Sequence, residues 1–72
     1  MYISFGGETF NLSHMTHIAP VKRQGVFAVA MSDYQGKEYF LELETESERD
    51  KVLDIINNKL KVANIESNLK IQ

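Results

Sequence analysis

Apolar and polar positions in residues 26–56 change period once, and the change separates a β-hairpin from a helix. Along Val26-Phe27-Ala28-Val29-Ala30-Met31 and Tyr39-Phe40-Leu41-Glu42-Leu43 one set of large apolar side chains, Phe27, Val29 and Met31 with Tyr39, Leu41 and Leu43, falls on every second residue, the period of a strand. Farther on, Val52, Leu53, Ile56, Leu60 and Ala63 recur at helical spacing and form one apolar stripe. Asp33-Tyr34-Gln35-Gly36 lies between the two strand patterns. A three-residue loop built on a type I turn prefers Asp first and a left-handed glycine last. That loop sets Asp33 against Lys37, Met31 against Tyr39, Val29 against Leu41 and Phe27 against Leu43. All three apolar pairs then share one face. A two-residue Gln35-Gly36 turn would set Val29 against Glu42, since a slip of one residue turns every side chain over.

The helix has a start signal at Thr45. Thr45 and Glu48 have capping-box spacing, with Ser47 and Asp50 as a competing cap. Glu46, Glu48 and Asp50 put negative charge at the positive end of the helix dipole. Upstream, Tyr2–Phe5 and Glu8–Leu12 read as a hairpin around Gly6-Gly7, with Ile3 facing Phe10. Ser13-His14-Met15 reads as a bend or a short helical turn. Thr16–Val21 reads as extended, and Pro20 confines that segment to an edge, a strand end or a bulge. Lys22–Gly25 reads as a polar turn. Val62, Ile65 and Leu69 keep helical spacing, while Asn64 is a candidate end of the helix.

These signals predict an α+β domain: an antiparallel meander of four to five strands followed by a C-terminal helix packed on one face. The expected strands cover about 2–5, 8–12, 16–21, 26–32 and 38–44, and the helix about 46–62. Residues 63–72 are left unassigned, and Leu69-Lys70-Ile71 at the terminus is expected to dock, to pair with an edge or to fray. Residues 1–72 are read as a single domain. In outline the order resembles a reduced pleckstrin-homology-like module, whose last strands also lead into a terminal helix, and several short bacterial and phage proteins. That likeness is one of topology and assigns no activity.

Composition narrows the function classes. The chain of 72 residues has no cysteine, so a disulfide staple and a zinc–thiolate site are both excluded. A core of this size rarely supplies more than ~3–5 kcal/mol alone. Burial against a partner would therefore add usefully to stability. With 8 basic and 10 acidic residues the net charge is −2, a balance that disfavours binding along a phosphate backbone. No apolar run approaches the length of a membrane span, and no signal-peptide pattern is present. A cytoplasmic location is the expectation.

Candidate chemistry is sparse. His14 and His17 are three residues apart and would face one metal if they lay on a helical turn. Zinc needs more ligands than these two supply, so no metal and no cofactor are expected. The serines lack a nucleophile elbow. Glu42, Glu44, Glu46 and Glu48 are explained by capping and solvation rather than by acid–base work. An enzyme is not expected. Lys22, Arg23 and Lys37 form the basic spot that a nucleic-acid surface would use, with Tyr34 and Phe40 as stacking surfaces for single-stranded nucleic acid.

The stronger lead is the sheet face opposite the helix, where Val26, Ala28, Ala30 and Phe40 stand beside Glu42 and Glu44. Apolar patches rimmed by charge mark protein interfaces. The competing expectation is that the N-terminal hairpin or the tail covers this face. The expected function is that of a small soluble protein-binding module: an adaptor, or an inhibitor of a larger basic partner, self-associating as a homodimer. A phage-encoded inhibitor of a host nucleic-acid enzyme is one concrete form. The alternative is a small nucleic-acid-associated regulatory module.

Overall fold

The computed structural model describes residues 1–62. Five strands precede one helix: β1 (Tyr2–Phe5), β2 (Glu8–Asn11), β3 (Met15–Arg23), β4 (Val26–Asp33), β5 (Glu38–Leu43) and α1 (Glu46–Leu60). All pairings are antiparallel. The class is α+β, but the meander is divided into two sheets, β1-β2 and β3-β4-β5.

The division has a local cause. Leu12–His14 forms a 3-10 turn, and the Asn11 side chain caps it by accepting from the Ser13 N–H at 3.0 Å. The turn ends β2 one residue earlier than expected and carries the chain to the edge of the second sheet. There His14 O accepts from the Tyr34 N–H at 3.1 Å. The third strand is longer than the expected 16–21. It begins at Met15, has an irregularity between Met15 and His17, and continues through Lys22 and Arg23. The turn into β4 is therefore only Gln24-Gly25, both at positive φ. Pro20 sits in β3, an edge strand of its sheet, where a missing donor costs least.

The central hairpin has the register that Asp33 and Gly36 imply. Phe27 pairs with Leu43, Val29 with Leu41 and Met31 with Tyr39. Asp33 N–H donates to Lys37 O at 2.9 Å, Gly36 N–H donates to Asp33 O at 2.9 Å, and Gly36 takes φ 87°. In the first hairpin Ile3 pairs with Phe10 across Gly6-Gly7.

One face of the three-stranded sheet carries the core. Val29, Met31 and Leu41 are buried there against Ile56 of α1 and against Phe10 and Leu12 from the N-terminal segment. Val52, Leu53 and Leu60 pack around them, which places the expected helical stripe on the sheet. The rings of Phe10 and Tyr39 meet edge to face at 5.6 Å. Helix and N-terminal hairpin thus cover the same side of the sheet.

Both ends of α1 are specified by side chain or backbone. Thr45 is the N-cap, and its hydroxyl accepts from the Glu48 N–H at 3.1 Å. The helix ends at Leu60, two residues short of the expected 62. Lys61 is left-handed at φ 53°, and the Val62 N–H reaches Asn57 O at 3.1 Å, the bond of a Schellman ending. Ala63, Ile65 and Leu69, also assigned to the helical pattern, lie outside the described residues. Thr45→Ala is expected to lower stability by ~0.5–2 kcal/mol. A denaturant midpoint equal to wild type would reject Thr45 as the cap, and a loss on Ser47→Ala instead would relocate it.

Candidate functional site: the open face of the sheet

Pairing fixes what the other face of the sheet displays. Residues opposite each other in an antiparallel pair share a face. His17, Ala19, Val21 and Arg23 of β3 therefore join Ser32, Ala30, Ala28 and Val26 of β4. Across β5, Ala28 pairs with Glu42 and Ala30 with Phe40. The centre of this face is small and apolar, and its flanks are charged. Phe40 is 37 % exposed and Val26 40 %. No described element lies over it, because α1 and the β1-β2 hairpin both pack on the opposite side.

The five residues expected to form an interface, Val26, Ala28, Ala30, Phe40 and Glu42, are thus together on one surface. Four of them, with Arg23 and Gln24, line an open cleft of about 210 Å³: Val26, Ala28, Phe40 and Glu42. That is below the ~300 Å³ at which small-molecule sites usually begin. Ala28 is buried at 3 % exposure although it points away from the helix. The Arg23 guanidinium lies 4.6 Å from the centroid of the Phe40 ring, a cation–π contact. Arg23 starts on β3 and Phe40 on β5, so the contact spans the whole sheet.

The candidate nucleic-acid residues are not gathered in the same way. Lys22 pairs with Phe27 and lies over that ring at 4.9 Å on the helix side, while Arg23 is on the open face and meets there only Phe40 of the candidate stacking rings. Lys37 lies 5.3 Å from the Tyr39 ring, also on the helix side. Tyr34 is at the far hairpin turn, edge-on to His14 at 5.5 Å. The two histidines separate as well: His14 is in the 3-10 turn and His17 in β3. Among the described residues no cluster of three or more His, Asp or Glu side chains could hold a metal ion.

Two features escape a reading of the pattern alone. Arg49, which looks like one more solvated charge in the helix's first turns, has a side chain only 12 % exposed. It donates to Val21 O at 3.3 Å, contacts Asp50 at 3.0 Å and lies 5.5 Å from the Phe27 ring. It ties the start of α1 to the edge strand. The second is Asp33. Its Oδ1 accepts from the Gln35 and Lys37 N–H groups at 2.9 Å each, and its Oδ2 accepts from the Tyr39 hydroxyl at 3.1 Å. Desolvation works against its ionisation, but the Lys37 and Gln35 amides with the Tyr39 hydroxyl outweigh it and hold the carboxyl below its ordinary value of 3.8. Desolvation and the same carboxylate raise the Tyr39 phenol.

A pH dependence follows. A carboxylate with a lowered folded-state pKa stabilises the fold above its unfolded value, and that contribution is lost as pH falls through the folded one. Asp33→Asn keeps an acceptor for the turn but cannot ionise. The wild-type advantage over Asp33→Asn in denaturant midpoint is expected to be full near neutrality and to shrink as pH drops below 3.8. An advantage that stays constant across that range would contradict the role given to the Asp33 charge.

No helix among the described residues is long and apolar enough to cross a membrane. No family model, no curated protein and no solved structure matches this chain.

Proposed function

We propose that this chain is a small protein-binding module, that the open face of the β3-β4-β5 sheet is its docking surface, and that it self-associates through that face. One observation carries the reading: both covering elements, α1 and the N-terminal hairpin, pack on the same side, leaving the apolar Val26, Ala28, Ala30 and Phe40 on the other. An aromatic anchor beside small residues is the arrangement in which binding energy concentrates. A 72-residue chain without disulfides also gains stability from any partner that binds only the folded state. An acidic balance would suit a larger basic partner as well. We place the module in the cytoplasm, since a cysteine-free chain needs no oxidising compartment. The nucleic-acid alternative would draw on Lys22, Arg23, Lys37, Tyr34 and Phe40; Arg23 and Phe40 meet on the open face, but Lys22 and Lys37 lie against rings of the other face, which weighs against it.

Sedimentation velocity of the wild type and of Phe40→Glu tests the proposal. Concentration-dependent association of the wild type, lost in a folded Phe40→Glu variant, is the expected result. A wild type that stays monomeric at high micromolar concentration would remove the self-association. Salt-dependent binding to mixed oligonucleotides would favour the alternative instead.

A further inference from the structure

The open face is self-complementary in charge as well as apolar at its centre. Arg23 and Glu42 line the same cleft, and among the described residues neither makes an ion pair; those present involve Arg49. They stand on the two outer strands, on either side of β4. Between them on β4 lie Val26 and Ala28, the apolar residues with which Arg23 and Glu42 respectively pair.

Strand direction decides how a second copy would sit. Both β3 and β5 are antiparallel to β4, so they run parallel to each other. A two-fold axis lying along β4, midway between two facing sheets, lays β3 of one copy over β5 of the other with the strands aligned. Aligned packing is one of the two stable ways for sheets to face each other. In that arrangement Arg23 of each copy comes over the Glu42 strand of the other, the reciprocity an isologous contact requires. Arg23 pairs with Val26 and Glu42 with Ala28, an offset of two residues, or about 7 Å along the strand. The arginine side chain already covers such a distance when it crosses to Phe40.

Resting on the reading of this face as a docking surface, we propose that its occupant is a second copy of this chain, packed about a two-fold along β4 with two reciprocal Arg23–Glu42 ion pairs. A three-stranded face is small beside the ~1,200–2,000 Å² of a usual stable interface, so the dimer forms in a concentration-dependent equilibrium.

Charge reversal tests this geometry. Arg23→Glu leaves only acid at the two positions, and Glu42→Arg leaves only base. Each variant alone is expected to associate at least about tenfold more weakly than wild type, because like charges then face each other. An equimolar mixture of the two is expected to recover association as a heterodimer, since each Arg23→Glu copy then lies opposite a Glu42→Arg copy and both contacts join acid to base. Arg23→Gln mixed with Glu42→Gln cannot form both pairs and is expected to stay weak. Both positions are exposed, and circular dichroism of each variant confirms that it folds. Wild-type association should also weaken with added salt. Self-association unaffected by either reversal, by mixing or by salt would overturn the two-fold pairing while leaving the docking surface standing. A monomeric wild type would overturn the two-fold pairing together with the self-association.

Discussion

Replacing Ile56 by alanine is expected to lower stability by ~2–5 kcal/mol, the range for deleting a buried aliphatic side chain and leaving a cavity. Ile56 is fully buried, and the residues it packs among, Val29, Met31, Leu41, Phe10 and Leu12, come from the sheet and the N-terminal segment together. It is the only fully buried residue of α1. A domain of this size holds only ~3–5 kcal/mol in its core, so the loss is comparable to the whole. The variant is expected to be mostly unfolded by circular dichroism at room temperature, or to fold only when association adds stability. Retention of the wild-type denaturant midpoint would mean that α1 does not pack on this face.

The second large effect is a contrast between neighbours. Leu41 and Phe40 are adjacent in β5 and point to opposite sides of the sheet. Leu41 is 2 % exposed in the core, and Phe40 is 37 % exposed on the open face. Leu41→Glu places a carboxylate where no described side chain can pair with it. An unpaired buried charge costs several kcal/mol after relaxation, comparable to the ~3–5 kcal/mol that a core of this size supplies, so the variant should be unfolded at neutral pH. Phe40→Glu removes the ring under Arg23 but sets its carboxylate beside that guanidinium, so the monomer should stay folded while association is lost. Circular dichroism separates the two. If Phe40→Glu also unfolds, the open face is core rather than a docking surface.

Much of this contrast is legible in the residues, because short-range rules govern it. Asp33 and Gly36 define one loop length, and the loop length sets which residues of β4 and β5 face each other. Thr45 stands where a helix must begin. The division into two sheets was less accessible: Ser13-His14-Met15 is compatible with a bend or a turn, and only the Asn11 cap and the bond from Tyr34 to His14 settle it. The end of α1 was obscured because Lys61 takes a left-handed conformation that glycine usually supplies. At the site, alternation alone collects Val26, Ala28, Ala30, Phe40 and Glu42. It does not reveal that Arg23 joins them. Arg23 is 17 positions before Phe40 and meets it only because two tight turns stack their strands side by side. Arg49 is hidden for a similar reason, since its contacts run to β3 rather than along its own helix.

The most direct test of self-association through the open face is a sedimentation-velocity series on the wild type up to high micromolar concentration, run beside folded Phe40→Glu. We predict a sedimentation coefficient that rises with concentration toward the value of a dimer for the wild type, and a constant monomer value for Phe40→Glu. A wild type that sediments as a monomer throughout, or a folded Phe40→Glu that associates as strongly as the wild type, would contradict it.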